Sequence, residues 1–135
     1  AKGTRQPNGW VRGGNHAPPP DFAAIKGWPP AQREAWARHL AARLALPDPT
    51  KLEHDGFLAN AMLAELLASR AENVSIFFAD LFGYEQRFNV PGVVDNTANW
   101  SLRLPSDFDR LHRERLEDGR ALDLRLACEL ALAAR

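Results

Sequence analysis

Val74-Ser75-Ile76-Phe77-Phe78, followed by Asn89-Val90-Pro91-Gly92 and then Asn99-Trp100, is the stretch on which the reading of the fold turns. The first block is β-branched and aromatic, and its apolar character is continuous rather than alternating. That is the pattern of a parallel strand covered on both faces. Val90-Pro91-Gly92 then asks for an extended X-Pro step and a turn, and Trp100 opens a polar segment. The expected order is strand, loop, helix. Asn89, just past the carboxyl end of a buried strand, stands where enzymes built on parallel sheets keep substrate contacts.

Working outward, helices are expected on both sides. Pro29-Pro30 suits the first turn of a helix. Trp36, Leu40 and Leu44 recur at intervals of four as one apolar stripe, and Pro47 and Pro49 end it. A second helix is expected from Asp55, as N-cap, to about Ser69. Phe57, Ala61, Ala64 and Ala68 form one face, with Leu58, Met62 and Leu66 beside it, so burial against two neighbours is expected. After the loop, Ser106 followed by Asp109 resembles a capping box, and Phe108 and Leu111 give an apolar edge. Asp118-Gly119 breaks that helix, and Leu122, Leu126 and Leu130 mark a last one. Residues 1–30 form a separate irregular segment, rich in Pro and Gly from Gly3 to Pro30, with one helical turn near Phe22 to Lys26. Residues 31–135 form the helical and β/α portion. The fold class is mainly α with one or few strands. A lone strand leaves its ladder unpaired, so its partners belong elsewhere or the segment folds differently by itself.

The chain has 135 residues, and its 17 basic and 17 acidic side chains cancel. Balanced charge gives no electrostatic reason to expect nucleic acid or an acidic membrane surface as partner. Arg and Asp/Glu alternate along the helices, as solvated faces do. No apolar run approaches the ~20 residues of a membrane helix, and the Gly-, Pro- and Asn-rich start lacks a signal-peptide core. A cytoplasmic protein is the expectation. Ala1-Lys2-Gly3-Thr4 contains no initiator Met, as in a piece of a longer protein. The single cysteine, Cys128, excludes an internal disulfide and, between Ala127 and Leu130, is expected to be a small buried side chain.

From about Asp55 to Leu104 the chain resembles the C-terminal part of the 4-α-glucanotransferases, the amylomaltases or disproportionating enzymes. The residues that carry the likeness are Ile76-Phe77-Phe78-Ala79-Asp80-Leu81-Phe82-Gly83, Glu85, Phe88-Asn89-Val90-Pro91-Gly92, Asp95 and Asn99-Trp100. In the family a strand ends in D-L-L-G, then V-N-x-P-G-T and N-W-R-R-x-L follow at matching intervals. Here Val93 replaces the Thr, and Ser101-Leu102 replace the two Arg. The resemblance implies that Val74 to Asp80 is the last strand of a (β/α)8 TIM barrel, whose remainder is a partner of this chain. It implies a malto-oligosaccharide or α-glucan substrate, no cofactor and no metal. It also implies substrate contacts at Asn89, Pro91, Gly92 and Trp100.

Retaining transfer between sugars needs two carboxyl groups about 5 Å apart. The family's motifs for them are not found here, so no catalytic residue is assigned to this chain. Gly3-Thr4-Arg5-Gln6 with Gly9-Trp10 is similar to the family's G-T-H-D and later G-W, but Arg5 and Gln6 replace the His and Asp, and the spacing is shorter.

Each candidate has a bland counterpart. The Asn89 amide donates and accepts at once, which suits paired sugar hydroxyls, but it equally caps a turn before Pro91-Gly92. Pro91 and Gly92 shape the loop, while Trp100 either stacks on a sugar ring or packs. Asp80 and Glu85 lie near the strand end. Asp80 is expected to cap the turn, and Glu85 to pair with Arg87 or face solvent. His54-Asp55 looks like a base with its acid, but neighbours on a helix point apart. No spacing draws His16, His39, His54 and His112 into a metal site. Trp10, Trp28 and Trp36 offer a carbohydrate surface, although Trp36 lies on the apolar stripe of its helix.

Overall fold

The computed structural model describes residues 22–85, 101 and 103–135, together with the backbone of strands β1 (Gly3–Gln6) and β2 (Gly9–Arg12). These two strands pair antiparallel, Thr4 opposite Val11 and Arg5 opposite Trp10. A hairpin therefore stands where an irregular segment was expected; its alternation is too short to read from the sequence. The next element, α1 (Phe22–Gly27), is the expected helical turn and buries Phe22 and Ile25.

Helix α2 (Pro30–Leu44) begins at the predicted proline pair, with Pro29 extended at the N-cap. Proline costs nothing there, because the first-turn N–H has no partner within the helix. It ends at Ala45, in the left-handed region at φ 48°, where the Leu46 N–H donates to the Ala41 carbonyl at 3.2 Å. A 3-10 helix (Pro49–Glu53) follows, capped by Asp48. The Thr50 hydroxyl and N–H both donate to Asp48 and hold its carboxyl below the usual carboxylate range.

Helix α3 (Asp55–Ala68) is the hub. Residues Leu58 through Ala64 are buried without interruption. Such a helix survives only with neighbours on several sides, and α1, α2, the 3-10 helix and later α6 supply them. Fully buried Leu58, Met62 and Leu63 each contribute about 2 kcal/mol of apolar burial.

Beyond α3 the structure departs from the expected strand. Residues 74–77 form no ladder, and Phe78–Leu81 wind into the short helix α4. Val74, Ile76, Phe77 and Phe78 are half-buried, and Ser75 is exposed. A parallel strand exists only beside other strands, and among the described residues β1 and β2 pair only with each other. Ile76 packs on the core instead, and the rings of Phe77 and Phe78 meet at 5.0 Å. The described fold is mainly helical with one hairpin.

Two amphipathic helices close the structure. Helix α5 (Phe108–Glu117) buries no residue fully, and its N-cap is Asp107 rather than Ser106. Its solvent side carries Arg110, paired with Asp107 and Glu114. Helix α6 (Leu124–Ala133) is capped by Asp123, whose carboxylate accepts the Leu126 N–H at 3.1 Å. It packs on α3 through Ala127 and Ala131. Cys128 is exposed, against expectation: one residue past Ala127 turns it about 100° away from the packed face.

Candidate functional site

The segment from Phe78 to Glu85 leads directly into the Asn89 motif, and it is held by two matching helix ends. In α4, Gly83 takes φ 67°, its N–H donates to the Asp80 carbonyl at 3.0 Å, and the Tyr84 N–H donates to Ala79 at 2.8 Å. This is a Schellman ending. In α5, Gly119 takes the same φ of 67°, its N–H donates to Leu116 at 3.0 Å, and Arg120 donates to Arg115 at 2.8 Å.

The two turns meet backbone to backbone. A Cβ on Gly83 would lie 1.7 Å from the Arg120 carbonyl oxygen, and one on Gly56 of α3 would lie 2.3 Å from the Gly119 oxygen. The Leu122 N–H donates to the Leu81 carbonyl at 3.0 Å across the same contact. Side chains of α5 finish the corner. Arg115 donates from Nε to the Phe82 carbonyl, and from Nη2 to the Gly83 carbonyl at 2.8 Å. Its guanidinium carbon lies 5.5 Å from the centre of the Tyr84 ring, within cation–π range. His112 packs on Phe82 at 5.1 Å and shares a hydrogen bond with the Leu122 carbonyl at 3.2 Å.

Asn60 joins this corner to the hub. It is only 4% exposed; its Nδ2 donates to the Gly56 carbonyl at 2.9 Å, and its Oδ1 accepts the Asp123 N–H at 2.8 Å. Between the start of α3 and the α5–α6 turn lies an open groove of about 680 Å³, lined by residues that include His54, Asp55, Asn60, Asp118 and Arg120.

Asn89, Pro91, Gly92 and Trp100 lie outside the described residues, as do Arg87 and Asp95. The other candidates are placed. Asp80 is buried within α4. Glu85 faces solvent, one of its two expected outcomes, and pairs there with Lys26 of α1, a surface pair worth under about 1 kcal/mol. Asp55 pairs with Arg33 of α2. His39 reaches Glu65 of α3 at 2.5 Å, and His112 belongs to the corner just described. No group of three His, Cys, Asp or Glu side chains among the described residues is arranged to hold a metal. Trp28 and Trp36 stack on each other at 6.1 Å and pack half-buried on the core.

Sequence reasoning missed Arg115 and Asn60. Neither has a periodic or motif signal; each acts on backbone far away along the chain.

The sequence pattern of the 4-alpha-glucanotransferases matches residues 13–109. The chain belongs to the 4-alpha-glucanotransferase family. The match runs from before α1 to the first turn of α5, so it contains Gly83 and the Asn89-Val90-Pro91-Gly92 motif; most of α5, including Arg115, and all of α6 lie beyond it. No curated protein and no solved structure matches the chain. Membership ties the chain to glucan-transfer chemistry and to α-glucans as substrate class. Among the described residues no helix is long and apolar enough to cross a membrane.

Proposed function

We propose that this chain is the C-terminal portion of a cytoplasmic 4-α-glucanotransferase, contributing the end of a (β/α)8 barrel to an enzyme that moves α-1,4-glucan segments between malto-oligosaccharides. The observation that carries the reading is the family match over residues 13–109, which includes the Asn89 motif. In a retaining transfer, one carboxylate attacks the anomeric carbon. The glycosidic bond breaks as a second carboxyl group protonates the leaving oxygen. The acceptor's 4-hydroxyl, deprotonated by that same second group, then displaces the enzyme carboxylate. Both carboxylates belong to the remainder of the barrel. The part of this chain is a sugar contact through the Asn89 amide, in a loop shaped by Pro91 and Gly92, with Trp100 beside it.

The test is disproportionation of maltotriose, read as glucose release and chain-length redistribution. The intact protein is expected to be active and the 135-residue chain silent. Asn89→Ala in the intact protein is expected to cost about 10- to 100-fold in kcat/KM, the size of lost polar contacts to substrate. Full activity of that variant removes Asn89 from the site.

A second reading, a non-catalytic helical module that binds carbohydrate or protein, is favoured by one observation. The described helices enclose their own core around α3, with no barrel strand. Absence of disproportionation by the intact protein supports this module.

A further inference from the structure

We propose that the groove between the start of α3 and the α5–α6 turn binds an α-glucan chain, with the Asn60 amide as its polar floor; the choice of glucan rests on the function proposed above. Asn60 is the deciding group. It is 4% exposed and lines the groove. An amide offers two N–H donors and two carbonyl lone pairs. Among the described residues, the Gly56 carbonyl takes one N–H and the Asp123 N–H takes one lone pair. One donor and one acceptor remain for a molecule lying in the groove, and a buried amide left half-committed is costly.

That remaining pair selects the chemistry of the ligand. A hydroxyl both donates and accepts, so two neighbouring sugar hydroxyls meet both positions at once. An ammonium only donates, and a phosphate offers acceptor oxygens. Charge on the walls disfavours anions: Glu53, Asp55, Glu117, Asp118 and Asp123 line the groove, against Arg120 and His54. Nor are these carboxylates an open trap for cations. Asp55 pairs with Arg33, Asp118 with Arg120, and Asp123 caps α6. Carboxylates held in this way still accept from hydroxyls through their other lone pairs.

The shape agrees. A volume of about 680 Å³ falls within the range of ligand sites. The groove is open rather than enclosed, as a ligand longer than one sugar requires. Half-buried Phe57, Leu116 and Leu126 also line it, and give apolar surface to the carbon faces of the rings.

The experiment is hydrogen–deuterium exchange of the intact protein titrated with maltoheptaose, with spermine and inorganic phosphate as cationic and anionic probes. Disproportionation of maltotriose is measured in parallel. Exchange is expected to slow in segments 53–60 and 116–123, by about 10-fold at ten times the dissociation constant. The midpoint of this protection is expected to rise about 10-fold in Asn60→Ala, as two hydrogen bonds to the ligand are lost. It is expected to rise about 3-fold in Asp118→Ala with Arg120→Ala. Those two side chains are exposed, so this variant carries the test if Asn60→Ala does not fold. Exposed Arg113→Ala, outside the groove, serves as control.

No slowing in these segments, in a protein that disproportionates maltotriose, overturns the groove and leaves the function proposed above intact. Slowing without disproportionation keeps the groove and moves the chain to the non-catalytic module. Protection by spermine or phosphate equal to that by maltoheptaose overturns the assignment to sugar. A midpoint that neither groove variant shifts does the same.

Discussion

Helix α3 and the corner formed by α4, α5 and the Gly119 turn pack against each other, yet different physics holds each. In α3 the agent is side-chain volume: an unbroken run from Leu58 to Ala64 removed from water, non-directional and tolerant of like-for-like exchange. At the corner the agent is backbone geometry. Two left-handed glycines, two Schellman endings and a guanidinium bring main chain directly against main chain, beside the buried Phe82 and Leu122. Burial can be shared out among many side chains, whereas a carbonyl 1.7 Å from a would-be Cβ cannot be accommodated by a neighbour's rotamer. A region of the second kind takes its direction from few and specific contacts.

The sharpest way to break the contrast is Gly83→Ala. The added methyl meets the Arg120 carbonyl, and φ 67° disfavours any side chain. The left-handed conformation costs about 1–2 kcal/mol, and forced overpacking about 1–3 more. We expect a loss near 4 kcal/mol by urea unfolding, comparable to truncating a buried leucine in α3. A loss below about 1 kcal/mol would mean that the corner yields as softly as a packed core, and the distinction would collapse.

Asn60 is where the two regimes join, and Asn60→Ala sharpens the comparison. The substitution strips the Asp123 N–H of its acceptor while the apolar face of α3 keeps its volume. Leaving a part-buried donor unpaired costs about 2 kcal/mol. Hydrogen exchange should show the Asp123 amide and the first turn of α6 accelerated before the middle of α3. Uniform acceleration along both helices would show that the joint belongs to the core after all.

The sequence disclosed one of these regions far better than the other. Helices α2 and α3 could be bounded from residues alone because their signals are local: Pro29-Pro30 at the start, Pro47 after the end, apolar residues at helical spacing. The family resemblance was likewise legible, since its motifs sit at fixed intervals. The expected strand at Val74–Phe78 failed because a strand is a property of a sheet, and Ile76 packs on the helical core instead. Cys128 failed by one position, a matter of which side of α6 faces α3. The corner was the least legible. Arg115 acts on Phe82 across a separation of 33 residues, and Asn60 on Asp123 across 63. Nothing in the local pattern of either residue announces its partner.

The smallest expected effect tests whether the solvent side of α5 adds anything to the corner that its other side builds. Arg110 donates to the Asp107 carboxylate and attracts it electrostatically, which lowers the Asp107 pKa below its ordinary 3.8 and raises that of Arg110. A carboxyl group with a depressed folded-state pKa stabilises the fold fully above its unfolded pKa, and that contribution disappears as pH falls through the folded value. The urea midpoints of the parent chain and Asp107→Asn should therefore differ slightly at pH 6. They should converge as the pH drops below the ordinary carboxylate range. High salt should shrink the difference at pH 6, because the pair is exposed and screened. An unchanged gap at low pH would show that the effect does not come from the charge of Asp107. In either case the solvent face of α5 is expected to titrate without disturbing the Arg115 contacts, which engage neutral carbonyls.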